Sequence, residues 1–202
     1  MAEITHSNIN KITGLSIDDW YSQNPFSEPV KLIKIDIEGS ELLAFEGMPN
    51  FLKDKNYPPI YLEANSFCIA FNNEMTIPEY LEPFQKLGYE AYFIKDDKHV
   101  ERFNNDFQLN VIENYLMVHK DNQEILKGKE VTNVPRYTPE DLMKSILKQN
   151  LSDSTAFYFA VTFKKIKNLH KTKGFKSFVK YYSQFKEPYS QKMYKELSEI
   201  AE

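Results

Sequence analysis

The chain has 202 residues and a net charge of −4, with 42% apolar and 27% charged residues. That composition fits one soluble globular body with an appendage and excludes a fibrous or disordered chain. Its one cysteine, Cys68, excludes an internal disulfide and points to a reducing compartment. Residues 1–14 are polar, no stretch approaches a membrane span, and a cytoplasmic location is the expectation.

Taken in chain order, Leu15–Trp20 reads as a helix start, with Ser16 as cap and Asp18 and Asp19 favoured by the positive end of the dipole. Val30–Asp36 is apolar on both faces apart from Lys31 and Lys34, the pattern of a strand buried in a parallel sheet. Gly39–Phe51 places Leu42, Leu43, Phe45 and Met48 at helical spacing, with Gly47 and Pro49 disturbing its end. Pro58-Pro59 punctuates the chain before a strand at Ile60–Glu63. Pro78–Leu87 predicts a helix whose interior Pro83 works against regularity. Gly88 ends it, Tyr89–Ile94 reads as a third strand, a polar loop follows, and Val111–His119 supplies a fourth strand. This order predicts an α/β sheet with right-handed crossovers and an antiparallel last pair.

Glu130–Tyr137 reads as a linker, dividing the chain into a body at 1–128 and a helical, basic extension at 129–202. Thr138-Pro139-Glu140-Asp141 is a helix start with Leu142, Met143, Ile146 and Leu147 on the buried face. Ala156–Phe163 (AFYFAVTF) fits either a strand or a buried helix, and the remainder to Glu202 reads as helical. Val161–Lys186 holds eight lysines and no acid, which leaves −12 for the rest of the chain. Phe163, Phe175, Phe178, Tyr181, Tyr182 and Phe185 alternate with those lysines. The pattern fits a solvated helix packing its aromatic face on the body, or a contact with an anionic surface through 161–186. With lysine in place of arginine, nucleic acid is not the expected partner.

The chemistry-bearing stretch is Lys31–Glu41, KLIKIDIEGSE. In open parallel sheets, ligands bind beyond the carboxyl ends of the strands. Asp36 and Glu38 lie at one such end, Glu63 and Asn65 at the next, and Gly39 lets the backbone turn between strand and helix. Glu41, in the first turn of the following helix, has a structural role as its simplest reading. The four histidines are scattered and form no metal pattern.

IKIDIEGSE resembles the signature of the FkbM family of S-adenosylmethionine-dependent methyltransferases. Leu15–Asp19, Tyr61-Leu62-Glu63 and Gly88-Tyr89 fill the other places of that pattern, so the resemblance covers about residues 12–118. It implies a partial class I methyltransferase (Rossmann-like) sheet with strands equivalent to 4-5-7-6 of the order 3-2-1-4-5-7-6. It also implies O-methylation of a hydroxyl of a sugar or secondary metabolite, a small-molecule or glycan substrate. Asp36, Glu38 and Glu63 become the implied catalytic residues, Asp36 beside the transferred methyl as base or orienting group. An oxygen-rich set of Asp36, Glu63 and Asn65 would suit Mg²⁺.

The donor-binding features of such enzymes are not found. Of the six glycines no two are spaced G-x-G, and only 29 residues precede Val30. The expectation is therefore the C-terminal half of such a domain, inactive until an N-terminal half is supplied. A non-catalytic half-domain, a split-enzyme partner and an interaction module using the basic tail are the alternatives. Without its usual neighbour, Leu32–Ile37 becomes an apolar edge, to be covered by a second chain or by the aromatic run Ala156–Phe163.

Overall fold

Ser16 starts the first helix as its sequence predicts. Its hydroxyl oxygen accepts the Asp19 N–H at 3.0 Å, and α1 runs Ile17–Gln23. The computed structural model describes residues 14–104, 112–136 and 138–201. The polar N-terminus with His6, the first residue of the fourth predicted strand (Val111) and the end of the predicted linker (Tyr137) lie outside the described residues. Asp18, expected to serve its own helix, is turned across the chain instead. It accepts the N–H groups of Asn50 at 3.1 Å and Phe51 at 2.8 Å, capping a different helix.

β1 is Ile33–Ile35, shorter than the apolar run that contains it. The single helix predicted over 39–51 is two, α2 (Glu41–Glu46) and α3 (Pro49–Asp54). The chain leaves the helix at Gly47 and re-enters with proline at the first position, where its missing N–H costs nothing. β2 runs Ile60–Asn65, and its alternation is clean: Ile60, Leu62 and Ala64 are buried, while Tyr61, Glu63 and Asn65 lie half-exposed on the other face. α4 (Ser66–Asn73), which the sequence reading did not separate, starts directly from β2 with Asn65 as its cap. α5 (Ile77–Leu87) opens with a capping box of Thr76 and Glu79 and continues through Pro83.

Gly88 closes α5 in the left-handed region at φ 105. A Cβ there would lie 2.6 Å from Nε2 of His119, so both the backbone and the neighbour demand glycine. β3 is Tyr89–Ile94, and the polar loop predicted after it turns back at once as β4 (His99–Arg102). Asp96 makes the turn by accepting the N–H groups of Lys98 at 2.7 Å and His99 at 2.8 Å. β5 is Ile112–His119, and the stretch read as a linker begins with β6, Glu130–Asn133. All four β6 residues are exposed, which removes the alternation that would have marked a strand.

Among the described residues the sheet has the order β1-β2-β5-β3-β4-β6. β1–β2 and β4–β6 are parallel; β2–β5, β3–β5 and β3–β4 are antiparallel. The sheet is thus mixed, and the third and fourth predicted strands (β3 and β5) form the expected antiparallel pair.

Four capped or proline-led helices follow: α6 (Pro139–Ile146), α7 (Asp153–Lys165), α8 (Lys173–Tyr182) and α9 (Pro188–Ala201). Ala156–Phe163 is helical, and all eight of its residues are buried. One continuous cluster joins Leu62 and Phe84 to Phe157, Phe178 and Leu197 across the expected 128/129 boundary. The aromatic run does not cover the sheet edge. α7 packs on α4 and α9, and β1 has no strand on its outer side among the described residues.

Candidate active site

The parallel register sets Ile35 opposite Leu62, so one residue further on Asp36 lies beside Glu63. The backbone then turns through two left-handed residues, Glu38 at φ 55 and Gly39 at φ 94. A non-glycine residue rarely holds such a φ without support. Here the support is Glu41. Its Oε1 accepts the N–H groups of Ile37 at 3.0 Å and Gly39 at 3.1 Å, and its Oε2 accepts the Tyr80 hydroxyl at 2.5 Å. Glu41 is 1% exposed. The structural role read from sequence is right in kind, but its cause is this three-donor brace rather than the helix dipole.

The loop also packs tightly from α4. A Cβ on Gly39 would meet the Cβ of Cys68 at 2.9 Å and Nδ2 of Asn72 at 3.4 Å. Asn65 caps α4 through the Cys68 N–H at 3.2 Å and turns its side-chain amide to Glu38 Oε2, also at 3.2 Å.

As a result the three predicted catalytic carboxylates converge: Asp36, Glu38 and Glu63 each offer an oxygen within 4.8 Å of the others. They are not equivalent. Asp36 is paired with Lys34 at 2.7 Å, both partly exposed, and Glu38 accepts from Asn65. The Glu63 carboxyl has no hydrogen-bond partner among the described residues, its backbone being part of the β2–β5 ladder. Its carboxyl is pushed above the usual carboxylate range, by burial first and then by the negative charges of Asp36 and Glu38. The Lys34 ammonium is pushed upward chiefly by its hydrogen bond to Asp36.

Asn65, suggested with Asp36 and Glu63 as an oxygen-rich set, is engaged instead in capping α4 and holding Glu38. The three acids bring hard oxygen ligands together, but nothing beyond their proximity points to a cation. Sequence reasoning did not single out Lys34, Cys68 or Tyr80. Lys34 was findable, since residues two apart in a strand share a face; Tyr80 is 39 residues from Glu41 and left no local signal.

The second functional candidate, the basic tail, divides cleanly. Phe163, Phe175, Phe178, Tyr182 and Phe185 are buried and Tyr181 is half-buried, while Lys173, Lys176, Lys180 and Lys186 are exposed. The aromatic side chains belong to the core and not to a membrane-inserting face.

Residues 4–91 match the family model described as the Methyltransferase FkbM domain. The matched span is less than half of the chain and contains Asp36, Glu38, Glu63 and the whole of their supporting loop. No curated protein and no solved structure matches the chain.

Proposed function

We propose that the chain supplies the acceptor-side carboxylates of an S-adenosylmethionine-dependent O-methyl transfer, with a hydroxyl of a small molecule or glycan as acceptor. The observation that carries this reading is the convergence of Asp36 and Glu38, just beyond β1, with Glu63, near the carboxyl end of the parallel β2, inside the matched span. Glu63 is the proton acceptor. Its carboxyl has no hydrogen bond among the described residues, and a pKa raised above the ordinary value makes it a stronger base when ionised than an ordinary carboxylate. Asp36, already neutralised by Lys34, and Glu38, held by Asn65, orient the hydroxyl.

The donor itself finds no cradle among the described residues. Gly39, the glycine nearest the site, gives its free space to Cys68 and not to a ligand. No Gly-x-Gly turn exists anywhere in the sequence. We therefore assign donor binding to strands that add to the open side of β1. The order β1-β2-β5-β3 supports equivalence with template strands 4-5-7-6, in which strand 4 borders the donor-binding strands. Leu32 and Ile37, 50% and 46% exposed at that edge, would be covered by the same addition.

Two measurements test this. Isothermal titration of S-adenosylmethionine into the chain alone should show no saturable micromolar binding; micromolar binding would overturn the donor-side assignment. In an assembly that carries the donor-binding strands, Glu63→Gln should lower turnover roughly 10²–10⁴-fold, the usual contribution of a positioned base. Unchanged turnover there would remove Glu63 from the reaction.

A further inference from the structure

The site proposed above leaves the lysine-rich segment unused. α8 splits by face: Phe175, Phe178, Val179 and Tyr182 are buried, and Lys173, Lys176 and Lys180, at i, i+3 and i+7, are exposed along the opposite side. Exposed Lys167 and Lys171 lead into that row. The two lysines at the end of α7 are spent on the fold, Lys164 on Glu196 at 2.5 Å and Lys165 on Glu79 at 2.7 Å. Lys167, Lys171, Lys173, Lys176 and Lys180 have no ion pair among the described residues. Beside them, between α8 and α9, lies a groove of about 300 Å³ lined by Lys176, Val179, Lys180, Ser183, Tyr194 and Ser198.

We propose that this face docks on an anionic phospholipid surface, with a headgroup phosphate received in the α8–α9 groove between Lys176 and Lys180. Three features select that partner. The positive charges stand in one row on a helix whose apolar face is already buried, so the surface adsorbs by charge and does not insert. They are all lysines, point charges suited to a diffuse layer of headgroups rather than to the planar, bidentate phosphate contacts of arginine. The rest of the chain carries −12, so an anionic surface repels it on balance and favours approach on this face.

The test is co-sedimentation of the full chain with vesicles of phosphatidylcholine, or of equimolar phosphatidylcholine and phosphatidylserine, at low and high salt. The protein should pellet only with the anionic vesicles and be released as salt rises. Each lysine at such a surface contributes about fivefold, so the Lys173→Gln, Lys176→Gln, Lys180→Gln triple variant should bind roughly 10²-fold more weakly. These side chains are exposed, so the variant should melt as the parent does. A control of equal charge change, Lys53→Gln, Lys120→Gln and Lys127→Gln, should bind like the parent. Three results would overturn the proposal: equal pelleting with neutral vesicles, equal losses in both triple variants, or salt-dependent binding to duplex DNA with none to anionic vesicles.

Discussion

Glu41→Gln isolates the brace under the candidate site, because it changes one atom and removes one charge in a side chain that is 1% exposed. The wild-type carboxylate accepts three hydrogen bonds, from Ile37 N–H, Gly39 N–H and the Tyr80 hydroxyl. A glutamine oxygen can keep the two amides, but those bonds fall from charge-assisted to neutral strength. Its NH₂ group then faces the Tyr80 proton, leaving a buried donor unmet at about 1–3 kcal/mol. Together these losses predict destabilisation by about 2–4 kcal/mol, read as a shift of the urea midpoint followed by circular dichroism with m unchanged. Removing the hydroxyl first should relieve much of the penalty. In a Tyr80→Phe background, Glu41→Gln should cost about 1–2 kcal/mol less than in the parent, a coupling that a double-mutant cycle measures directly. A cost below about 0.5 kcal/mol, or additive effects of the two substitutions, would refute the brace. In that case the left-handed backbone at Glu38 must be held by something else.

Two further predictions concern the neighbouring packing and the carboxylate cluster. Gly88→Ala places a Cβ 2.6 Å from His119 Nε2 at φ 105, and should destabilise by about 2–4 kcal/mol in the same urea assay; a neutral result would mean that His119 moves freely. Glu63 has its carboxyl raised in the folded chain, so between the ordinary carboxylate pKa and the raised one the folded state binds more protons than the unfolded state. Stability from this group is therefore complete below the ordinary pKa and lost as pH rises through the raised one. Melting temperatures taken from about pH 4 to about pH 8 should show Glu63→Gln gaining on the parent as pH rises, and a constant or shrinking difference would contradict the assigned shift.

What could be read from the sequence divides by the range of the interaction. Ser16, Thr138 and Gly88 announce helix ends because a cap or a left-handed residue acts within a few positions of itself. The acids were legible for the same reason: Asp36 and Glu38 follow β1 directly, Glu63 sits near the end of β2, and the parallel register does the rest. Asp18 was misassigned because its partners, Asn50 and Phe51, are more than thirty residues away. The brace from Tyr80 to Glu41 and the fit of Cys68 against Gly39 were invisible on the same ground. Ala156–Phe163 stayed ambiguous because eight consecutive buried residues carry no period of either kind. β6 was lost for the opposite reason, being exposed throughout and held to β4 by the backbone ladder and one exposed side-chain contact, His99 to Glu130 at 3.4 Å.

The open edge and the carboxylate cluster are consequences of one arrangement. β1 is a three-residue strand whose ladder, among the described residues, runs only toward β2, with Leu32 before it and Ile37 shortly after it also apolar. Among the described residues no strand pairs with the other side, and Leu32 and Ile37 lie half-exposed beside it. Asp36 follows this strand directly, so a parallel strand that completes the ladder would end beside Asp36, with Glu63 one strand further in. A partner selected for covering the apolar edge would thus be delivered to the carboxylates by backbone register, without a contact dedicated to the purpose. The brace from Glu41 and Tyr80 then has a clear value: it holds the Ile37–Gly39 turn in place whether or not the edge is filled. The acids stay converged in the lone chain at the cost of mutual repulsion, which is the state in which Glu63 is found.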